Sequence, residues 1–560
     1  MRIQRKKQRS SGRILFLCFA TLLLLQPAGV IAQNHKPIPP ERPKLIIGIV
    51  LGQMRFDYIS RYWDKFGEGG FKRLINEGSY CKNAQYNYLF TQTCPGYATI
   101  ATGAMPSVHG IISDQWYDRL RNKVVKCTED ETCKPVGGSF DEGHHSPVQL
   151  ISSTLGDELR FSSNFQSKVI SISMDPDAAV LSAGHSATAA YWYDGQTGTW
   201  MTSSYYTDSL PAWVNSFNQK KFPGLYLDRQ WDPLLPASEY TASLPDNSQY
   251  ELGINGQNTF PYNLALMSKQ KNGRRNFNLL RYTPFGDNYT KDFAISAIMD
   301  EKLGQGDHTD LLYIGFASPE YIGKLYGANS MEMEDVFLRL DKDIEHFLNF
   351  ISENIGLENT LIFLTADHGI ASVPKYLEDS GVPSGVFSPN QAMTLLGSYL
   401  NILYGKGDWV KYYFNQQIFL NQLLIEDSKL SLQNVQDVVA QFMVQFSGVA
   451  NTMTTTTLQR SNFTTGVYMK MLNSYNQKRT GDVILNLEPG WIEESLNATY
   501  HNSGYSYDTH VPLVWYGWKI PRKTIQQPVD MTSIAPTIAN FLDILAPNGS
   551  YAMPIMDLVQ

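Results

Sequence analysis

Five short apolar runs set the rhythm of the chain. Residues 44–51 (KLIIGIVL), 168–174 (KVISISM), 310–316 (DLLYIGF), 360–365 (TLIFLT) and 511–516 (VPLVWY) are largely continuous in their apolar content rather than alternating. Runs of that length predict strands buried on both faces, as in a parallel sheet. Between the third and fourth runs, Phe337, Leu340, Ile344, Phe347, Leu348 and Ile351 recur at helical spacing with acids on the opposite face, which predicts a helix over 331–353. Buried strands alternating with helices make an α/β fold: a mostly parallel central sheet flanked by helices, with ligands expected at the carboxyl ends of its strands.

Two stretches interrupt this alternation. Residues 190–300 are rich in Tyr, Trp, Asn, Gly and Pro, and residues 375–490 mix polar segments with helical patterns over 409–424 and 433–446. Both read as insertions capping one face of the core. There are no internal repeats. At the N-terminus a basic run (Arg2, Arg5, Lys6, Lys7, Arg9, Arg13) precedes the apolar residues 14–25 and the small-residue site Val30-Ile31-Ala32. This is the pattern of a signal peptide over 1–32, leaving 33–560 as the exported chain, held in a periplasm or released. No later apolar run approaches the roughly 18–20 residues a membrane span needs.

Removing that segment changes the formal charge from −7 to −13, with 40 basic against 53 acidic side chains. Nucleic-acid binding needs clustered Lys and Arg and is excluded as a function class. Of the remaining cysteines, Cys127 and Cys133 flank a short polar loop and are the expected disulfide, with Cys81–Cys94 as an alternative.

The chemistry-bearing residues lie near the run ends. In Thr93-Cys94-Pro95-Gly96 the proline predicts a helix start, where free N–H groups favour an anion; Thr93 either caps that helix or attacks a phosphoryl or sulfuryl group. Beyond the fourth run, Asp367-His368 supplies an oxygen and a nitrogen ligand suited to zinc, or is a surface loop. His510 precedes the fifth run. Glu320 and Lys324, four apart after the third, predict a helical ion pair. The Asp141-Glu142-Gly143-His144-His145 segment reads as a solvated loop, with metal binding as the other use. The aromatic residues around Tyr191-Trp192-Tyr193 read as cap packing, with sugar stacking as the other use.

These residues carry a resemblance. Gln53-Met54-Arg55-Phe56-Asp57, Thr154-Leu155-Gly156-Asp157-Glu158, Ala183-Gly184-His185, Thr365-Ala366-Asp367-His368-Gly369 and Asp508-Thr509-His510-Val511-Pro512 resemble the alkaline phosphatase superfamily. Within it the chain is similar to PafA-type monomeric phosphatases and the type I phosphodiesterase/nucleotide pyrophosphatase family. The resemblance implies an alkaline-phosphatase-like fold, two zinc ions and Thr93 as the nucleophile position. A threonine hydroxyl is too weak an acid to attack at neutral pH, so one zinc would ionise it and a second would stabilise the leaving oxygen. The implied ligand set is incomplete. Asp367 and His368 match one zinc site, where Gly52 replaces an Asp. His510 and Glu320 stand in the other, where Lys324 replaces a His. Among the implied phosphate-binding positions Asp114 replaces an Asn, and Met174 and Pro176 replace a Lys and an Arg; Tyr97 replaces a His beside the nucleophile. The expectation is a pseudophosphatase with zinc lost or reduced, binding a phosphate ester, a glycan or another exported protein. The alternative is an active phosphomonoesterase or phosphodiesterase working through a Thr93 phospho-enzyme with altered metal use.

Overall fold

The computed structural model describes residues 39–493 and 499–559. The expected signal peptide lies outside them, and no described helix is long and apolar enough to cross a membrane.

Strand β1 (Leu45–Leu51) is buried at every position and lies at the centre of the main sheet. In chain order the sheet's other strands are β2 (Ser79–Gln85), β3 (Pro135–Val136), β4 (Val169–Ser173), β5 (Ala189–Asp194), β6 (Thr199–Ser203), β7 (Asp310–Phe316) and β8 (Thr360–Ala366). A separate small sheet holds β9 (Val410–Phe414), β10 (Gln417–Leu420), β11 (Val449–Thr454) and β12 (Val483–Leu487), and the main sheet ends with β13 (His510–Gly517), β14 (Lys523–Ile525) and β15 (Val529–Asp530). Among the described residues the main sheet has 11 strands in the order β14-β2-β13-β8-β1-β7-β4-β5-β6-β3, with β15 also on β2. β1 pairs parallel with β7 and β8, and β7 parallel with β4; β13 runs antiparallel to β8 and β2.

The five apolar runs are therefore strands of one sheet. Their continuous burial follows from cover on both faces, supplied by helices α1 (Thr93–Thr102), α2 (Pro176–Ala183), α3 (Phe285–Asp300), α4 (Ser318–Tyr326) and α5 (Met331–Asn354). The helix expected over 331–353 is α5, whose Ser330 side chain caps its start through Met333 N. α1 packs on α2, and α3 packs on α5.

The two interruptions differ in kind. β5 and β6, near the start of the 190–300 stretch, extend the main sheet. Residues 385–492 instead carry a four-stranded sheet, β9-β10-β12-β11, with its own apolar cluster including Leu396, Ile418, Val439 and Leu485. The helical pattern over 409–424 is corrected here: β9 and β10 form a hairpin, and only Gln422–Asp427 is helical. The hairpin turns through Asn415 and Gln416, both left-handed (φ 52° and 58°), the geometry that matches strand twist in a two-residue loop. The other pattern forms a helix, Leu432–Met443.

Within β1, Gly48 faces ring atoms that a Cβ would meet at 2.6 Å (Phe363) and 2.7 Å (Tyr313). These neighbours come from β8 and β7, so the glycine lets three strands pack at normal spacing. Gly48→Ala is expected to lower unfolding stability by about 1–3 kcal/mol in urea melts, as overpacked cores do; a neutral result would show that both rings can move aside.

Candidate active site

Thr93 is the first residue of α1, with Gln92 extended before it as the N-cap. The helix start reaches the strand ends because Gly96 has no side chain: a Cβ there would lie 2.4 Å from the Asp367 carbonyl oxygen. A disulfide, Cys94–Cys127, ties the same turn to the following loop. This corrects the expected Cys127–Cys133 pair. Cys133 remains a thiol donating to Asp130 Oδ2 (3.3 Å), and Cys81 is also free, so Cys81–Cys94 is excluded too.

The Thr93 hydroxyl is buried and donates to Glu320 Oε1 (3.1 Å), with His368 Nε2 at 3.5 Å. Glu320 and Lys324 occupy one face of α4, and Lys324 Nζ donates to the same Glu320 Oε1 at 2.7 Å. Burial opposes ionisation of Glu320, but Lys324 and His368 together outweigh it and hold the carboxyl below its ordinary value. Burial likewise opposes the Lys324 charge, and Glu320 overcomes it and raises the ammonium's pKa. The pair is thus a salt bridge beside the nucleophile position.

Asp367 and His368 follow β8. Asp367 Oδ1 accepts from Gln53 N (3.0 Å) and His368 N (2.9 Å), while Oδ2 has no hydrogen bond. Burial, then Glu320, pushes this carboxyl well above the usual range. His368 Nδ1 lies 2.8 Å from the Gly369 carbonyl, so Nδ1 carries the proton and Nε2 presents a lone pair. Burial lowers its pKa, against the opposing pull of Glu320.

His510 does not join this group. It opens β13, stacks on Phe56 (centroids 3.9 Å apart) and directs Nε2 to the Lys82 carbonyl (2.9 Å). The residue that takes part is His501. Its ring stacks on His368 at 3.8 Å, its Nδ1 meets the Thr91 carbonyl at 2.8 Å, and its unpartnered Nε2 lies 3.9 Å from Glu320 Oε1. His501 stands in a loop away from any apolar run, so a search confined to strand ends passes over it.

The anion-binding positions also shift. Met174 is fully buried in the core and Pro176 is the first residue of α2. The side chains flanking that turn toward the site are acids. Asp175 caps α2 and accepts from Tyr321 Oη (3.3 Å), and Asp177 accepts from Thr128 and lies 3.7 Å from His145 Nδ1. Asp114 accepts from Cys94 N (2.9 Å), the amide next to Thr93. Burial raises Asp114 to about 6 and Asp177 to about 8, and it raises Asp175, with Glu320 adding to the effect. Arg281, the nearby guanidinium, is spent on the carbonyls of Met174 and Tyr193 and on Asn278.

Residues 46–509 match the family described as type I phosphodiesterase / nucleotide pyrophosphatase. The chain belongs to this family. It is 39% identical over 533 residues to alkaline phosphatase PafA of Elizabethkingia meningoseptica, covering 94% of this chain and 96% of the relative. It is 36% identical over 557 residues to alkaline phosphatase PhoV of Synechococcus elongatus, covering 98% and 100%. The crystal structure of wild-type alkaline phosphatase PafA superposes with a TM-score of 0.88 over 93% of this chain and 99% of that one, at 39% identity. The mixed α/β sheet is thus the fold of this phosphodiesterase-type family.

A pair of zinc ions, the cofactor implied for such a family, does not fit the residues present. Gly52 offers no ligand, and a Cβ built there already meets Glu320 Cβ and the Phe316 carbonyl at 3.2 Å. Lys324 offers no lone pair while protonated. What remains is one compact donor set, Glu320, His368 and His501, whose ligand atoms lie within 4.8 Å of one another. Its carboxylate is already engaged by Lys324.

Asp114 tests the electrostatic reading. Its carboxyl is raised from 3.8 to about 6 in the folded chain, so the folded state holds a proton that the unfolded state has released between these values. Stability from this group is present below pH 3.8 and is lost as pH rises through about 6. Asp114→Asn should therefore raise Tm more at pH 7.5 than at pH 4.5; an equal shift at both would place the carboxyl outside the acidic cluster.

Proposed function

We propose that this family member keeps the phosphatase scaffold without efficient two-zinc hydrolysis, and serves outside the cytoplasm as a binding or assembly protein. The observation that carries this reading is the Lys324–Glu320 pair at 2.7 Å, beside a Gly52 that bears no side chain. With no second metal position, Thr93 hands its hydrogen bond to a carboxylate already neutralised by an ammonium. Nothing there draws the hydroxyl proton away as a bound metal would.

The surroundings support the same reading. Asp114, Asp175 and Asp177 ring the helix start that would otherwise receive phosphoryl oxygens, and Arg281 is held by backbone carbonyls. Loss of one transition-state donor typically costs about 3–4 kcal/mol, and here acids stand in place of cations. Export is supported by the basic, apolar and small-residue order of the N-terminus and by a disulfide, which persists in oxidising compartments.

One observation favours phosphate-ester hydrolysis with reduced metal use. His368 Nε2 and His501 Nε2 both present lone pairs near Glu320, a nitrogen-nitrogen-oxygen set that suits a single zinc. Hydrolysis of an aryl phosphate monoester and an aryl phosphodiester by wild type and Thr93→Ala, with and without added zinc, separates the readings. The expected result is turnover no greater in wild type than in Thr93→Ala under every condition. Zinc-stimulated turnover that Thr93→Ala abolishes would establish the hydrolase instead.

The pair itself can be tested by a double-mutant cycle. Lys324→Met leaves Glu320 buried without its partner, whereas Glu320→Gln/Lys324→Met removes both charges. The double variant should recover stability relative to Lys324→Met, with a coupling of about 1 kcal/mol given the partly open ammonium. Additive losses would mean that the two side chains do not interact in solution.

A further inference from the structure

Beside the turn that joins β5 to β6 lies a cleft of about 740 Å³, within the roughly 300–1,000 Å³ usual for small-ligand sites. Gly195 and Gln196 line it from that turn, Glu142 from the loop after β3, and several side chains of residues 270–281 complete it. The wall is closely built. A Cβ on Gly195 would lie 2.8 Å from Asn278 Oδ1, and one on Gly198 would lie 2.9 Å from the Phe277 ring. Two glycines therefore let the turn pack directly on the short 3-10 helix Phe277–Tyr282. The remaining rim is a tight loop in which Gln270 N donates to the Arg274 carbonyl (2.9 Å) and Asn276 N to the Ser268 carbonyl (2.7 Å). Arg275 fastens that loop in place through Ser268 Oγ (3.1 Å), the Gly224 carbonyl (3.1 Å) and Asp228 Oδ1 (2.7 Å).

Within this rigid frame, several polar groups are left unengaged. Among the described residues the side chains of Gln270, Arg274 and Asn276 make no hydrogen bond or ion pair. Arg281 is only 8% exposed; its two terminal nitrogens are held by Asn278 and by the carbonyls of Met174 and Tyr193, but its Nε has no partner. Glu142 is the one carboxylate in the lining, and it comes no nearer to Arg281 than 4.0 Å. The cleft thus gathers three guanidinium groups in a chain of net charge −7, and Arg274 has no counter-ion.

These groups define a ligand. A guanidinium only donates, and its fork fits a carboxylate or sulfate. Carboxamides both donate and accept, which matches neighbouring hydroxyl groups. A flat apolar ligand would find a single ring here, Phe277, and a bare anion would leave the amides unused. Tyr191, Trp192 and Tyr193 are at most 2% exposed and offer no stacking face, so sugar recognition in this part of the chain falls to the polar cleft.

We propose that the cleft binds an acidic carbohydrate, its carboxylate or sulfate held by Arg274 beside the charge of Arg281, and its hydroxyl groups by Gln196, Gln270 and Asn276. None of Gln196, Gln270, Arg274 and Asn276 belongs to the Thr93 group, and the assignment stands whether or not that group hydrolyses a phosphate ester.

Titration calorimetry on the full chain tests this with four probes: an oligogalacturonate, a sulfated galactose oligosaccharide, the neutral galactose oligosaccharide and inorganic sulfate. At least one acidic oligosaccharide should bind saturably, with the neutral sugar and free sulfate at least about tenfold weaker. The comparison of the two acidic probes shows which anion the guanidinium prefers. Added NaCl should weaken the binding, as screening of an exposed charge requires. Arg274→Ala and Gln270→Ala/Arg274→Ala remove side chains that hold nothing in the fold, so Tm should stay within about 1 °C of wild type. Both variants should weaken binding at least about tenfold, while Thr93→Ala binds as wild type does. The proposal is overturned by absence of saturable binding of both acidic oligosaccharides, or by equal affinity for the neutral one. Binding that survives Gln270→Ala/Arg274→Ala, or that Thr93→Ala abolishes, would place the ligand elsewhere and overturn it as well.

Discussion

Everything at the Thr93 site turns on how negative charge is balanced where β1, β7 and β8 end. Glu320 and Asp367 converge there with Asp114, Asp175 and Asp177 around the start of α1, and one ammonium, Lys324, makes direct contact with the group. A single ammonium cannot answer five carboxyl groups, and the pKa directions show what does the rest. Burial pushes Asp114, Asp175, Asp177 and Asp367 toward their protonated forms, while Glu320 alone is held ionised against burial by Lys324 and His368. On the reading proposed above, protons and one side-chain charge take the place that metal ions would fill. The arrangement is self-consistent as a folded core and poorly suited to receiving a phosphate.

The scaffold explains how the site holds its shape from the chain's own contacts. The position of Thr93 depends on the close approach of Gly96 to the Asp367 carbonyl, on the Cys94–Cys127 link and on the packing of α1 against α2, none of which needs a bound ion. The central strands are equally independent of it: β1 is closed on both sides by parallel partners, and Gly48 makes room for their rings. Location and competence are separable properties here. A hydroxyl at a helix start beside an Asp-His pair is a consequence of the fold, whereas on the proposed reading its ionisation would require ligands that Gly52 and Lys324 do not supply.

How far the sequence alone reached follows from the kind of signal each feature leaves. Continuous apolar runs are local and strong, and they mark the strands that form the middle of the sheet; the helix from Met331 was equally legible from its spacing. The β9–β10 hairpin was not, because Lys411 to Leu420 mixes aromatic and apolar residues in a way that also fits a helix, and the deciding Asn415-Gln416 turn depends on backbone conformation. Thr93, Asp367, His368, Glu320 and Lys324 were found because they flank strands or share a helix face. His501 was missed in favour of His510 because its approach to His368 is purely tertiary, across more than a hundred residues. The same limit applies to Cys94–Cys127, where the nearer pairing looked better on loop length, and to Met174 and Pro176, one place out of step with the acids Asp175 and Asp177 that take part.

The account rests on an ammonium standing where a metal ligand would be, and anomalous diffraction at the zinc edge, from crystals grown with excess zinc, examines that position directly. The account predicts no second zinc beside Lys324, with Nζ remaining in hydrogen-bond contact with Glu320. Two strong zinc peaks about 4 Å apart next to Thr93, with Lys324 turned away, would contradict it.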